Sequence, residues 1–344
     1  MARRLLGGAT CWWRCWPWRR RAVSGELLTG PLRAQPSENQ RSLRRPDGVD
    51  IAYRVSPARD PTFPAVVLLH GLASNLTRWS EFVEHTTLTQ RHDVIRLDLR
   101  GHGDSPTRGA IGLERWADDL AALLDQEGHA RAVLVGHSLG AQLALHFARH
   151  HPQRVAGLVL IDPVFRQALH GRWKLVAAIG PLLQLAALVV RALNALGLRR
   201  RRLEPLDLRE LDRMARRALV SPQAEAEFIR RYSSTRADLR SLRTAHYMQE
   251  LVEMFRPVPT PASIRMPVLV LLSTGGTFAD PQETQRLVDC FPRGHTVKID
   301  CHHWPLTERP AEVRQAIEAW SAVLDRVASA GGWPPVGRRG IATG

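Results

Sequence analysis

Ser138 stands between two glycines in Gly136-His-Ser-Leu-Gly140, where the apolar run Ala132–Val135 ends and a helical pattern begins. A serine hydroxyl is a weak nucleophile until a neighbouring base takes its proton during attack, so its chemistry depends on where it is held. A sharp strand-to-helix turn of the form G-x-S-x-G holds it at the tip. Both flanking positions must then be bare for strand and helix to approach. A glycine-rich turn whose serine merely caps the next helix would carry the same letters. The elbow reading implies attack on a carbonyl carbon. That chemistry needs a base, an acid to orient the base, and N–H donors for the oxyanion.

Candidates for each part occur elsewhere in the chain. Cys301-His302-His303 places two of the fourteen histidines side by side near the C-terminal end. Asp162 follows the apolar run Val155–Ile161 directly, and Asp280 follows the turn Leu272-Ser-Thr-Gly-Gly-Thr-Phe-Ala. Asp280 also has a structural use, because Asp280-Pro-Gln-Glu283 is a helix-starting capping box. His70-Gly-Leu72 closes the run Ala65–Leu69.

The segments between these residues alternate in period. Ala65–Leu69, Asp93–Leu97, Ala132–Val135, Val155–Ile161, Val268–Leu272 and Thr296–Ile299 read as strands. Leu113–Glu127, the run after Ser138, and Ala311–Arg326 read as amphipathic helices. Continuous Val, Leu and Ile strands alternating with helices argue for a parallel sheet covered on both faces. Ligands gather at the carboxyl ends of such strands, and His70, Ser138 and Asp162 all fall there.

The 344 residues carry a net charge of +15, distributed unevenly. Residues 1–45 hold ten arginines against Glu26 and Glu38, and residues 163–265 hold eighteen arginines and Lys174 against nine acids. The remainder is close to neutral. No nucleic-acid module carries the basic residues, so the charge does not argue for nucleic-acid binding. Four cysteines make neither a disulfide framework nor a zinc pattern, which leaves a reducing, cytoplasmic setting as the expectation. Residues 1–45 lack the apolar core of a secretory signal and read as a disordered or organellar targeting tail. Residues 329–344 read as a second disordered tail.

His70-Gly-Leu72, Asp98-Leu-Arg-Gly-His-Gly-Asp-Ser105, Gly136–Gly140 and His303-Trp-Pro-Leu-Thr-Glu-Arg-Pro310 together resemble the α/β-hydrolase superfamily, in its order and spacing. The resemblance covers roughly 50–162 and 266–327. It implies a mostly parallel eight-stranded sheet flanked by helices, with an inserted helical cap. It also implies a Ser-acid-His triad without metal or organic cofactor. Serine at position 138, where dehalogenases and epoxide hydrolases of the superfamily carry Asp, implies acyl chemistry. The oxyanion donors would be the N–H groups of Leu72 and Leu139. Glu308 and Pro310 fit the family register from His303, which makes His303 the base and His302 a replacement for the usual glycine. The acid departs from the common pattern. Its usual position holds Gly276 or Thr277, leaving Asp162 and, as the alternative, Asp280. The sequence Gly275-Gly-Thr277 resembles small esterases that draw their acid from the earlier strand. Asp104 is expected to be structural.

The domain reading that follows is a hydrolase core over 46–162 and 266–328, with a cap over 163–265. Within the cap, Leu175–Val190 is apolar on all sides except Gln184, and Arg199–Arg202 follows. A membrane span, a helix buried between cap and core, and an apolar lid that lines an acyl pocket or touches a membrane are the three readings. The expected function is hydrolysis of apolar, lipid-like carboxylic esters through an acyl-enzyme, with peripheral membrane contact through 173–202. A carbon–carbon hydrolase of ring-fission products, gripping carboxylates with cap arginines, is the alternative within the fold. An inactive binding protein is the alternative outside catalysis.

Overall fold

The computed structural model describes residues 38–198, 203–218, 222–275 and 279–329, all within the unit Pro36–Gly344. Eight strands form one sheet: β1 (Asn39–Arg44), β2 (Asp50–Ser56), β3 (Ala65–Leu69), β4 (Val94–Leu97), β5 (Ala132–His137), β6 (Val155–Ile161), β7 (Val268–Ser273) and β8 (Gly294–Ile299). Their spatial order is β1-β2-β4-β3-β5-β6-β7-β8. β2 runs antiparallel to both β1 and β4, and every other pairing is parallel.

Helices α1 (Ser80–His85), α2 (Leu113–Gln126) and α3 (Leu139–His150) precede β6 or lead into it. Among the described residues six more separate β6 from β7: α4 (Arg172–Ala178), α5 (Gly180–Ala195), α6 (Leu208–Ala218), α7 (Pro222–Tyr232), α8 (Thr235–Ser241) and α9 (Thr244–Met254). The chain closes with α10 (Pro281–Val288), α11 (Pro305–Glu308) and α12 (Pro310–Val327). The strand period of two sorts the core. Val67 and Leu69 join Leu134, Leu158 and Val270 under α2 and α3, while Val66 and Leu68 join Val133, Val159 and Leu269 under α1 and α12. Apolar residues on both faces are what covering a parallel sheet on two sides requires.

The reading of 1–45 as a disordered or targeting tail is corrected at its end, because Asn39–Arg44 is a strand. Its sequence NQRSLR buries only Leu43, as an edge strand facing water can, so no apolar alternation announced it. Glu38 holds Arg96 in an ion pair, and Arg41 meets Glu127 at 2.5 Å. Residues 1–37 lie outside the described residues, as do 330–344 and Arg199–Arg202.

The long apolar run of the insert is two helices, bent by 62° where Gly180-Pro181 interrupts the pattern. Among the described residues no single helix is long and apolar enough to cross a membrane. The buried-helix reading is also corrected, since α5 buries only Ala187. Leu182 (65% exposed), Leu185 (59%), Val189 (51%), Leu193 and Leu196 form one solvent-facing stripe at helical spacing. The opposite side of α5 packs along α9.

β1 sets where the fold begins. A chain starting at residue 36 is expected to match the full-length melting temperature. One starting at Arg45 loses the β1 ladder and Leu43, on the order of 3 kcal/mol, and should melt about 5–10 °C lower. Equal melting of the two truncations, by calorimetry, would remove β1 from the stable core.

Candidate active site

Three loops that follow the adjacent strands β3, β5 and β6 carry the site. Among the described residues the only non-glycine residues with positive φ are Ala73 (48°), Ser138 (51°) and Asp162 (45°), one in each loop. L-residues adopt this region at a cost of roughly 1–2 kcal/mol, and such strain persists only where the surroundings enforce it. At Ser138 the enforcing is steric. A Cβ on Gly136 would strike the Gly140 carbonyl, and one on Gly140 would strike the Leu69 carbonyl at the end of β3. The Ser138 N–H donates to the Ile161 carbonyl at 2.9 Å, which fastens the turn to β6.

The turn aims Ser138 Oγ at His303 Nε2, 3.0 Å away. Both residues are buried. His303 Nδ1 lies 3.5 Å from Asp162 Oδ2. Asp162 is in turn held from β7, its Oδ1 accepting the Ser273 N–H at 2.7 Å and its Oδ2 the Ser273 hydroxyl at 2.5 Å. The structure therefore brings Ser138, His303 and Asp162 together. Asp280, the alternative acid, is at the N-cap of α10, where Oδ1 accepts the N–H groups of Gln282 and Glu283 at 2.9 Å each. Gly276 and Thr277 lie outside the described residues. His302 faces elsewhere, against Gly275, while its N–H donates to Glu308 at 3.1 Å. Asp104 contributes its backbone N–H to Asp98, within the turn after β4.

His137 braces His303. Its Nε2–H donates to the His303 carbonyl at 3.0 Å. Burial, then the neighbouring His303, push His137 down to about 3, so the ring is neutral at pH 7. Burial likewise holds His70 well below the usual histidine range, and its Nε2 accepts the Leu99 N–H at 3.1 Å. Cys301, 3.2 Å from the Ser273 hydroxyl, is pushed up to about 12 by burial and stays a thiol.

A cavity of about 350 Å³ opens over Ser138 and His303. Gly71 and Leu72 form one wall, and Trp173, Val176, Leu251 and Met254 of α4 and α9 supply an apolar roof. The expectation that Leu175–Val190 lines the cavity narrows to Val176, with Trp173 ahead of it; Leu182 and Leu185 face outward instead. Two arginines reach this cavity, and both have partners. Arg78 pairs with buried Asp212 at 2.6 Å, which also accepts from the Tyr232 hydroxyl at 2.8 Å. Arg172 lies 4.7 Å above the Trp173 ring. Asp238, at the rim, is pushed up to about 7 by burial and by Glu250.

Sequence reasoning missed Ser273, Tyr232, Asp212 and Met254. Ser273 stands at the last position of β7, beside the β6 end that bears Asp162. The other three come from insert helices, whose placement no local pattern encodes.

The sequence pattern of the family described as "alpha/beta hydrolase fold" matches residues 64–310. Among curated proteins, the chain is 38% identical over 103 residues to the mouse sn-1-specific diacylglycerol lipase ABHD11, covering 30% of this chain and 34% of that protein. It is 38% identical over 104 residues to Lipase LipV of Mycobacterium tuberculosis, covering 30% and 39%. The matched segments thus span little more than a third of those relatives. Over a longer reach it is 22% identical across 282 residues to a Schizosaccharomyces pombe abhydrolase domain-containing protein, covering 78% of this chain and 96% of that one. Among solved structures, a thermophilic esterase from Thermogutta terrifontis superposes with a TM-score of 0.59 at 23% identity, covering 83% and 99%. A hydrolase from Pseudomonas aeruginosa gives 0.60 at 23%, covering 82% and 98%. With the family pattern spanning most of the sheet and its site-bearing loops, the chain belongs to the alpha/beta hydrolase fold family.

Proposed function

We propose that the chain is a serine hydrolase of apolar, lipid-like carboxylic esters. The observation that carries this reading is the alignment of Ser138 Oγ and His303 on the floor of a cavity roofed by apolar side chains, with Asp162 behind the His303 ring. Ser138 Oγ attacks the ester carbonyl carbon while His303 Nε2 takes its proton. The oxyanion is received by the N–H groups of Leu72 and Leu139, the second at the N-terminal end of α3, where the helix dipole favours negative charge. The imidazolium protonates the departing alkoxide, leaving an acyl-enzyme. Water then attacks, His303 again taking a proton and returning it to Ser138. Asp162 holds the imidazole in the tautomer that presents Nε2 to Ser138. No step in this scheme calls for a metal or organic cofactor.

The carbon–carbon hydrolase reading draws less support. It needs uncompensated cations to grip substrate carboxylates, and of the two arginines at the cavity Arg78 is paired with Asp212, which leaves Arg172, stacked on Trp173, for that task. Names of relatives such as diacylglycerol lipase and LipV point toward acyl esters as well.

The surface of the insert extends the proposal. From Pro163 to Leu203 there are eight cations and no acid, and the apolar stripe of α5 lies within that stretch. Exposed apolar patches of this kind mark interaction sites, and a sequence stretch rich in cations suits an anionic bilayer. α5 rests on such a bilayer in this reading, and the chain is membrane-associated from the cytoplasmic side.

The triad assignment predicts a ranking. Ser138→Ala and His303→Ala should each lower ester turnover by about 10⁴-fold or more, and Ser138→Ala should abolish fluorophosphonate labelling. Asp162→Asn should lower kcat about 10²–10⁴-fold. His302→Ala and Asp280→Ala should leave kcat nearly intact, the latter costing about 1 kcal/mol of stability through the lost cap. Labelling that persists in Ser138→Ala, or Asp280→Ala matching Asp162→Asn, would overturn it.

Substrate class is tested with p-nitrophenyl esters of rising chain length. kcat/KM should rise up to about fourfold per methylene, from ~0.8 kcal/mol of burial, until the cavity fills. Trp173→Ala with Val176→Ser should flatten that series and spare acetate. A flat series in the unmodified enzyme, with fast cleavage of a ring-fission product, promotes the carbon–carbon hydrolase. No turnover of either would leave the binding-protein reading.

Vesicle sedimentation tests the surface. Binding should favour phosphatidylglycerol over phosphatidylcholine and weaken from 0.1 to 0.5 M salt, about where screening becomes short-ranged. Leu185→Ser with Val189→Ser should weaken it about tenfold, from on the order of 1.5 kcal/mol of lost interfacial burial. Equal binding to both lipids at all salt concentrations would sink the electrostatic part.

A further inference from the structure

One stripe of α9 runs across the site. His246, Glu250 and Met254, spaced four residues apart, are all buried. His246 Nε2 meets the Gly109 carbonyl at 3.1 Å, and Met254 Sδ lies 4.0 Å from Ser138 Oγ. Glu250, between them, is fully buried, and its two oxygens have different tasks. Oε2 accepts the backbone N–H of Ala73 at 2.8 Å. Oε1 stands 2.5 Å from His102 Nε2. The other ring nitrogen of His102 donates to the Leu99 carbonyl at 3.1 Å, so one proton must lie between His102 and Glu250. Burial alone would push the His102 imidazolium down; the Glu250 carboxylate outweighs it and raises His102 above its ordinary value. The edge of His102 also packs on the His70 ring, with centroids 4.8 Å apart.

Ala73 is the residue that needs such an anchor. It holds a positive φ of 48° directly after Leu72, in the loop whose Gly71 abuts Ser138. A left-handed alanine relaxes unless its peptide groups are held. Within the described loop the charged acceptor for its N–H comes from the insert, 177 residues along the chain.

We propose that Glu250 is the positioning residue of the oxyanion loop: anchored by His102, its carboxylate fixes the Ala73 amide and so orients the Leu72 N–H toward the carbonyl attacked by Ser138. The inference rests on the serine-hydrolase reading and adds to it that the insert sets the geometry of the core's oxyanion donors. Glu250 touches no substrate. It acts through Ala73.

Steady-state kinetics on a short ester, which barely reaches the roof, tests this. Glu250→Ala should lower kcat about 10–100-fold with KM within about twofold, because the lost interaction is one made in the transition state. Inhibition by a trifluoromethyl ketone, which forms the oxyanion, should weaken in parallel. Glu250→Gln should recover all but about threefold of the loss, since its amide oxygen can accept from Ala73 and its NH₂ can donate to neutral His102. If Glu250→Ala does not fold, Glu250→Asp is read instead; it draws the acceptor back from Ala73 and should lower kcat about tenfold. A merely structural role would raise KM, lower the melting temperature and leave kcat alone, and that outcome overturns the proposal. So does Glu250→Gln falling as far as Glu250→Ala in a folded protein. Failure of the wild-type enzyme to be labelled at Ser138 would instead remove the serine-hydrolase reading itself.

Discussion

The site depends on a steric constraint: β5 and α3 must meet at an angle that only bare residues two positions either side of Ser138 permit. Gly136 and Gly140 remove the colliding atoms, and Ser138 bears the strained φ that remains. A positive φ recurs at Ala73 and Asp162, so among the described residues left-handed non-glycine backbone is confined to three loops at one edge of the sheet. The sheet can hold them because its central strands are buried on both faces, where repacking to relax a loop would open the core. Each strained residue is also tied to a neighbouring element: Ser138 to Ile161, Asp162 to Ser273, Ala73 to Glu250. Ser138, Asp162 and the loop that bears Ala73 are thus fixed relative to one another by the parallel order β3-β5-β6-β7.

Charge inside the site is handled by pairing or by neutralisation. Arg78 lies against Asp212, and His102 shares its proton with Glu250. His70 and His137 are kept neutral by burial. Unpaired buried charge would be expensive. The outcome is a cavity whose roof presents carbon rather than charge, despite the eighteen arginines of the surrounding segment.

Most of the core was legible because its signals are local. Ala65–Leu69 and Val155–Ile161 stand in the structure with the bounds their apolar runs suggest, since a strand buried on both faces has no other composition to use. β1 was not legible: a polar edge strand that buries one leucine has no periodic signature. The choice between Asp162 and Asp280 needed geometry. Both follow parallel strands, and only the fold shows one facing His303 while the other spends its carboxylate on two backbone N–H groups. Ser273 and Glu250 were out of reach for a different reason. Their partners are 111 and 177 residues away, and a serine ending a strand or a glutamate in a helix looks like any other.

The insert also explains how one apolar run can serve two surfaces. Gly180-Pro181 breaks it, so α4 turns Trp173 and Val176 inward while α5 turns its leucine stripe outward. A single straight helix could not do both, because its apolar face would wrap continuously into either the cavity or the solvent. α5 lies along α9, and the buried stripe of α9 reaches the Ala73 amide and Ser138. Two packed helices therefore separate the exposed leucines from Ser138. On the proposed reading, a bilayer that shelters the α5 stripe loads the layer that holds the oxyanion loop. Close-packed helices transmit such a shift as rigid-body movement rather than absorbing it, which makes α9 the element through which surface and chemistry would be coupled.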